Sequence, residues 1–179
     1  MKKISIIIIS VLLGFVACSV PVIIENKGKN YETIKWEGGN FFFITYHWKG
    51  GKFDDAVDLI KKWIDLTKSR NLGEYSIGRF PANNEWQLGI ISAKGLEISE
   101  FEGFKIEKIT VSSGDYASLK AKGYPENIFY HWESFKKLLL KDRYEVLSPV
   151  FEIYKTAFDM KIPITERIGE LRYQIKPVK

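Results

Sequence analysis

The chain has 179 residues, a length that suits one domain or at most two small ones. Hydrophobic residues make up 45% of it and charged residues 27%, which is typical of a packed globular protein and excludes a disordered chain. The net charge of +5 is mild and no long basic run occurs, so nothing favours a nucleic-acid partner. One cysteine excludes an internal disulfide framework, and two histidines leave little room for a metal centre, so we expect neither metal nor cofactor.

The first seventeen residues have the pattern of a secretory signal. Lys2 and Lys3 give a positive start, and the following stretch of about 14 residues is apolar except for two serines. This stretch is shorter than the roughly 20 residues that span a bilayer. It ends in Phe15-Val16-Ala17-Cys18, which resembles a bacterial lipobox with Phe in place of the usual Leu. The resemblance implies cleavage before Cys18 and acylation of that residue, and the alternative is a plain secretory signal with a chance cysteine.

We therefore divide the chain into a signal peptide (1–17), a lipidated cysteine with its tether (18–30) and a folded domain (31–179). A proline, a glycine and several polar residues favour a flexible tether. Two or three acyl chains hold a soluble domain at a bilayer almost irreversibly, since each buried methylene contributes roughly 0.8 kcal/mol. Ser19, and no acidic residue, follows the cysteine. This resembles outer-membrane sorting in Gram-negative lipoproteins, so we expect an exported lipoprotein of the outer membrane or cell surface.

The first half of the domain predicts a strand, a helix and two strands. The first strand is rich in β-forming residues and lies between glycine pairs, and the helix shows apolar residues at the 3.6-residue period. The predicted ranges are 41–48 for the strand, 54–67 for the helix, and 75–80 and 86–93 for the next two strands. In the last of these, Trp86, Leu88 and Ile90 share one side, which favours a role in the core.

The second half repeats this order. A strand with alternating residues ends at Gly123, and a helix with Pro in its first turn follows. The predicted ranges are 115–122 for the strand, 125–141 for the helix, and 150–155 and 170–176 for the next two strands, with one more extended piece in the linker 101–108. Trp132 lies on the apolar stripe of the helix, and we expect it in the core.

Two strand-helix-strand-strand units predict an α+β fold. Placed about a pseudo-twofold axis, the two units form one antiparallel sheet with both helices on one face. The other face of the sheet is then left open as a groove between the halves.

Two runs in the second half resemble a known family. In residues 114–125, a strand that ends in a glycine and an aromatic residue leads into the second helix. In residues 144–154, the segment from Pro149 to Tyr154 has the pattern Pro-x-x-Glu-x-Tyr. The two runs span about 40 residues, and their order and spacing resemble the GyrI-like effector-binding domain family.

This resemblance implies a small-molecule binding domain. The family includes the sensor halves of multidrug-responsive regulators, stand-alone binding proteins and some hydrolases that act on reactive natural products. In several members the strand glutamate meets the positive charge of a flat cationic ligand, a role that carries over to Glu152, with Tyr154 as its aromatic partner. No helix-turn-helix segment precedes the domain, and an exported domain cannot regulate transcription directly.

The alternation of side chains along the strand also points to Glu152 and Tyr154. Phe151 and Ile153 point to one side of their strand, whereas Glu152 and Tyr154 point to the other. We expect the first pair to lie under the helices and the second to face the open groove. In strand 115–122 the same reasoning places Ala117, Leu119 and Ala121 under the helices. The residues expected to bind the ligand are Glu152, Tyr154, Tyr116 and Tyr173.

Carboxylates among aromatic rings suit a hydrophobic or cationic small molecule, because the rings exclude water and attract cations. Two other functions stay open. The protein could be a hydrolase in which Glu152 acts as a general base and a tyrosine donates a proton; no further catalytic residue is expected. It could also be a structural or interaction lipoprotein whose groove is closed. Since the fold also resembles SOUL-type haem-binding proteins, His47 as an axial haem ligand is a further alternative.

Overall fold

Antiparallel strands and two helices make up the described part of the chain. The computed structural model describes residues 21–25, 28–47, 53–70, 76–82, 85–92, 95–123, 125–154, 156 and 161–178. Helix α1 is Phe53–Ser69 and helix α2 is Trp132–Lys141, which follows the 3₁₀ helix Pro125–His131 without a break. A second 3₁₀ helix is Ile164–Glu166. The strands are β1 Val22–Ile23, β2 Glu32–Trp36, β3 Gly39–His47, β4 Ser76–Ala82, β5 Glu85–Ser92, β6 Glu100–Phe101, β7 Phe104–Lys105, β8 Glu107–Val111, β9 Gly114–Lys122, β10 Tyr144–Val146, β11 Val150–Tyr154 and β12 Ile168–Pro177. The predicted α+β class is confirmed.

One large sheet carries most of the strands. Its order is β1-β9-β12-β11-β4-β5-β3-β8, with β2 also paired to β9 and β10 also paired to β12. All of these pairs are antiparallel, and β6 and β7 form a separate hairpin. Strand β11, which carries the Pro-x-x-Glu-x-Tyr pattern, lies between β12 and β4 and is buried along its whole length. The pseudo-twofold relation between the halves stays a prediction.

The core has three clusters of buried side chains. The α1 cluster joins four residues of that helix to strands β3 and β5 and to Tyr154. The α2 cluster joins Phe135 and Leu139 of that helix to strands β9 and β12 and to Val150. The third cluster contains no helical residue among its buried members, which are Phe41, Phe43, Ile77, Val111, Tyr116, Phe151 and Ile153.

These clusters correct the predicted faces of β11. We expected Phe151 and Ile153 to lie under the helices, but both belong to the third cluster. Val150 packs with α2 and Tyr154 with α1, so the side of β11 that also carries Glu152 is the one covered by helical residues. The period-two pattern predicts which residues share a side, and it does not say which side a helix will cover. On β9 the prediction is confirmed, because the α2 cluster contains Ala117, Leu119 and Ala121.

The predicted helix 125–141 is two different helices. Its first seven residues form the 3₁₀ helix, and the α-helical part begins at Trp132. His131 precedes α2 at the N-cap position and makes no side-chain capping hydrogen bond there. Because the 3₁₀ helix continues directly into α2, the start of α2 is a change of helical geometry and not a free helix end.

The predicted tether is partly a strand of the sheet. Val22 and Ile23 pair with the end of β9, and the backbone N–H of Ile24 donates to the carbonyl of Lys120 at 2.8 Å. The ring nitrogen Nε2 of His131 lies 2.7 Å from the carbonyl oxygen of Pro21. Residues 21–24 are therefore not a free linker. The predicted signal peptide and Cys18 lie outside the described residues. Among the residues that the structure describes, no helix is long and apolar enough to cross a membrane.

Candidate functional site

Glu152 is the only charged member of an otherwise apolar row that crosses the sheet. Directly paired residues on neighbouring antiparallel strands share a face, so the register defines this row. From β9 to β3 its members are Leu119, Leu171, Glu152, Gly78, Leu88 and Ile44. Along β11, Glu152 lies between Val150 of the α2 cluster and Tyr154 of the α1 cluster. The carboxylate is therefore placed where the two helical clusters meet.

Two neutral donors hold the carboxylate. The hydroxyl of Tyr154 donates to Oε2 of Glu152 at 2.7 Å, and the indole N–H of Trp132 donates to Oε1 at 2.8 Å. Only 6% of Glu152 is exposed. In the described part of the chain no Lys, Arg or His forms an ion pair with it. Each oxygen thus has a hydrogen bond, but the negative charge has no positive partner among the residues that the structure describes.

Burial dominates the ionisation of this pair. It raises the pKa of Glu152 to about 7, although the hydrogen bonds from Tyr154 and Trp132 act in the opposite direction by favouring the ionised form. Burial also raises the pKa of Tyr154 well above its ordinary value, and the adjacent Glu152 charge raises it further. At neutral pH the tyrosine is therefore a hydrogen-bond donor, and the glutamate is near its titration midpoint.

Gly78 provides the space in which these side chains converge. A β-carbon at this position would lie 2.5 Å from the hydroxyl oxygen of Tyr154 and 2.9 Å from Nε1 of Trp86. The Trp86 nitrogen is buried and makes no hydrogen bond of good geometry with the described residues. Because Gly78 pairs with Glu152 across β4 and β11, only a residue without a side chain leaves room for the tyrosine and the indole beside the carboxylate.

A connected set of aromatic rings extends from Trp132, which contacts the carboxylate. The Phe80 ring centroid lies 4.4 Å from that of Trp132 and 6.3 Å from that of Trp86, so Phe80 connects the two indoles. Phe129 of the 3₁₀ helix lies 6.4 Å from Trp132, and Tyr46 of β3 lies 6.2 Å from Trp86. Such rings lower the local dielectric and present their electron-rich faces, both of which favour a cation beside Glu152.

The structure brings together three of the four residues predicted to bind a ligand. Glu152 and Tyr154 are hydrogen-bonded neighbours, and both are buried. Tyr173 belongs to the α2 cluster and packs against Phe135 at a centroid distance of 5.6 Å. Burial raises the pKa of Tyr173, and the nearby charges of Glu133 and Glu152 raise it further, so this ring lies within electrostatic range of the site.

Tyr116 lies on the other side of the sheet, which corrects its predicted role. It belongs to the third cluster with Phe151, its ring packs edge-on against Trp36 at 4.8 Å, and its hydroxyl donates to the carbonyl of Ser112 at 2.9 Å. The same side carries a buried ion pair in which Nε of Arg172 donates to Glu170 at 2.6 Å. The guanidinium of Arg172 also stacks over Trp36 at 4.7 Å.

Sequence reasoning placed Trp132 and Trp86 in the core and missed their position beside Glu152. Trp86, Leu88 and Ile90 are buried as predicted. The available signal for Trp132 was its indole N–H, because a tryptophan on a buried stripe needs a hydrogen-bond acceptor and Glu152 is the acidic residue of the next predicted strand. No sequence pattern marked Gly78 or Phe80. His47 lies at the exposed end of β3, and in the part of the chain that the structure covers no group of His, Cys, Asp or Glu side chains could hold a metal ion.

Comparison with known proteins finds similarity at the level of the fold. No protein-family model and no curated protein matches the chain. The crystal structure of the EcmrR C-terminal domain matches with a TM-score of 0.59 at 12% identity, over 84% of this chain and 100% of that one. In the EcmrR–DNA complex the TM-score is 0.59 at 10% identity, and the match covers 83% of this chain but only 59% of the EcmrR chain. A structure described as a hydrolase from Listeria innocua matches with a TM-score of 0.52 at 11% identity, over 82% of this chain and 92% of that one.

The chain therefore shares the fold of the EcmrR C-terminal domain. At these identities the similarity shows the fold alone, and the chemistry at Glu152 depends on this chain's own residues.

Proposed function

We propose that the protein is a lipid-anchored small-molecule binding protein that holds a hydrophobic cation beside Glu152. The anchor is Cys18, acylated after removal of residues 1–17, and it places the domain on the outer membrane or cell surface. The two halves of the domain form the proposed pseudo-twofold unit, with both helices on the side of the sheet that carries the site.

The observation that carries the proposal is a buried carboxylate that forms no ion pair within the described part of the chain. An isolated ionised carboxylate is costly to bury, and proteins usually pair such a group or leave it protonated. Glu152 has two neutral donors and no ion pair among the described residues. A bound cation would supply the missing charge, and its attraction would be strong because aromatic rings keep water away.

The aromatic surroundings favour a flat or bulky apolar cation over a small hydrated one. Trp132, Trp86, Phe80 and Tyr154 contribute ring faces and edges within one connected set. Each ring face adds a cation–π attraction of roughly 0.5–2 kcal/mol, and the rings adapt to ligands of different shape. Such a site recognises the charge strictly and the shape loosely.

Access to the site requires the movement of Trp132. Its side chain is only partly buried, and it covers Glu152 from the first position of α2. The change from 3₁₀ to α-helical geometry at this position makes the start of α2 a suitable place for such a movement. A ligand would replace the Trp132 hydrogen bond with its own charge.

The test is a pair of probes of almost the same size and opposite charge. Tetraphenylphosphonium and tetraphenylborate are titrated into the native protein and into Glu152→Gln, with binding followed by calorimetry. We expect the cation to bind the native protein at least tenfold more tightly than the anion, and we expect Glu152→Gln to remove this difference. The exposed Glu145→Gln serves as the matched control. Absence of binding by either probe would support the closed structural lipoprotein instead.

Hydrolysis is a second candidate, favoured by the pKa of Glu152 at about 7. A carboxylate that titrates near the working pH can accept a proton from an attacking water, and the Tyr154 hydroxyl can donate one to a leaving oxygen. The measurement is turnover of a strained electrophile such as an epoxide. Turnover by the native protein that Glu152→Gln abolishes would support this candidate, and absence of turnover by the native protein would leave binding alone.

A further inference from the structure

The chain enters the described domain at one end of the sheet, which we call the Pro21 end. Val22 pairs with Lys122 at the end of β9, and Lys122 pairs with Ile168 at the start of β12. His131, the last residue of the 3₁₀ helix, contacts the carbonyl oxygen of Pro21 at 2.7 Å. The beginning of the domain, the end of β9, the start of β12 and the end of the 3₁₀ helix therefore lie together.

Exposed apolar side chains gather at this end. Of the seven large apolar residues that are exposed in the described part of the chain, four lie here: Val22, Phe129, Tyr130 and Ile168. The rings of Phe129 and Tyr130 are 4.2 Å apart and project from the 3₁₀ helix. Val22 and Ile168 flank the exposed Lys122 in one row across three strands. Apolar and aromatic side chains beside a basic one are typical of surfaces that enter the interface of a bilayer.

The other three exposed apolar residues lie at the opposite end, which we call the Val178 end. They are Leu140, Leu147 and Val178. The backbone N–H of Val178 donates to the carbonyl of Arg143, just beyond α2. Strand β12 runs between the two ends for ten residues, which separates them by about 30 Å. Apolar exposure alone does not choose between the ends.

The position of Cys18 in the chain indicates which end would lie at the bilayer. Three peptide links separate Cys18 from Pro21, and three residues of extended chain reach at most about 10 Å. Residues of β1 cannot lengthen this linker, because β1 would then have to leave the sheet and lose its backbone pairs with β9. A lipid on Cys18 would therefore hold the Pro21 end at the bilayer and keep the Val178 end away from it.

We propose that the Pro21 end is a bilayer-contacting surface, with Phe129 and Tyr130 in the interfacial region and Lys122 facing anionic headgroups. The proposal rests on the lipid anchor of the proposed function. It also gives the candidate site a source of ligand, because Phe129 neighbours Trp132 at 6.4 Å and Trp132 covers Glu152. A lipophilic cation that concentrates in the membrane interface would meet the cover of the site without crossing open water.

The test compares the two ends in the full protein purified from its host. Tyr130 and Val178 have the same exposed fraction, 54%, so Tyr130→Cys and Val178→Cys form a matched pair. Cys18 is the chain's only cysteine, and once it is acylated a thiol-reactive bimane labels only the new position. The labelled proteins are reconstituted into phosphatidylethanolamine–phosphatidylglycerol vesicles that contain doxyl-labelled lipid, and Ile168→Cys provides a second reporter at the Pro21 end.

We expect lipid quenching at Tyr130 and Ile168 to be at least threefold stronger than at Val178. Equal quenching at both ends, or stronger quenching at Val178, would contradict the proposal that the Pro21 end contacts the bilayer. The proposal would also be contradicted if neither the lipid quencher nor aqueous iodide quenched the bimane at position 130, since a protein partner would then cover this end.

The anchor is read separately, from the mass of the N-terminal peptide. If that peptide carries no acyl group, the anchor has failed, and the labelled variants are made again with Cys18→Ser and added to the same vesicles. Preferential quenching at Tyr130 would then still support the surface, and its absence would overturn it.

Discussion

The indole N–H of Trp132 donates a 2.8 Å hydrogen bond to Oε1 of Glu152, twenty residues further along the chain. This bond joins the first residue of α2 to the middle of a central strand. It satisfies a buried carboxylate oxygen and the indole N–H of a partly buried side chain, and it also closes the site. The stability of the domain and access to Glu152 therefore depend on the same contact.

The stability of the domain should fall between pH 5 and pH 8 because of Glu152. In the unfolded chain its pKa is near the ordinary 4.5, and in the folded protein it is about 7. Between these values only the folded state keeps the proton, so the free energy of unfolding decreases as the pH rises through this window and levels off above it. The full effect is on the order of 3 kcal/mol. Denaturant unfolding of the native protein and Glu152→Gln at both pH values measures it, and a difference between the two proteins that is the same at pH 5 and pH 8 would contradict it.

Trp132→Phe should raise the pKa of Glu152 above about 7. The substitution keeps a ring against Phe80 and removes one of the two donors that favour the ionised carboxylate. Carbon-13 NMR titration of the labelled glutamate carboxyl measures the pKa directly. Trp63→Phe is the control, since the Trp63 indole nitrogen is buried and makes no hydrogen bond with the described residues. Equal titration in the two variants would show that the Trp132 bond has no electrostatic role.

Gly78→Ala should destabilise the domain by about 1–3 kcal/mol, because a well-packed core cannot absorb an added methyl group without side-chain shifts. The new methyl would lie 2.5 Å from the Tyr154 hydroxyl and force that side chain away from Glu152. Thermal or denaturant unfolding provides the measurement. A β-carbon at Gly95 would meet nothing within 4 Å, so Gly95→Ala should leave stability almost unchanged. A matching loss in both variants would exclude a specific steric cause.

Affinity for a hydrophobic cation should increase with pH through neutrality. Only the ionised carboxylate attracts the cation, and Glu152 ionises with a pKa of about 7. Below this value the affinity should fall by up to tenfold per pH unit, and above it the affinity should level off. Titration of tetraphenylphosphonium from pH 5.5 to pH 8.5 provides the test. If the affinity of the native protein did not change with pH, Glu152 would not be the charge that attracts the ligand.

Tyr154→Phe and Tyr116→Phe should have different effects. The first removes a donor to Glu152 and should weaken cation binding about tenfold, as expected for a hydrogen bond to a charged group. The second removes only the bond to the Ser112 carbonyl on the opposite side of the sheet. It should cost about 1 kcal/mol of stability and change the affinity less than twofold. If Tyr116→Phe weakened binding as much as Tyr154→Phe, the ligand would not lie on the Glu152 side.

The sequence determined the order of elements and the grouping of side chains within each strand. Periodicity is a local property, and it placed α1, the strands around it and the paired sides of β11 close to where they lie. The Pro-x-x-Glu-x-Tyr pattern singled out Glu152 and Tyr154, which the structure joins by a hydrogen bond. Short strands such as β1 and β10 have too few residues to show a period, so they escaped prediction.

The surroundings of Glu152 depend on contacts between elements that are distant in the chain. Alternation puts Glu152 opposite to Phe151 on the strand, but which side receives a helix depends on how α1 and α2 dock across the whole sheet, and this reversed the predicted faces. The same docking brings Trp132 to the carboxylate, while strand register places Gly78 opposite it and Tyr116 behind it. These relationships join residues far apart in the chain, and the free energy of packing that sets them is absent from any local pattern.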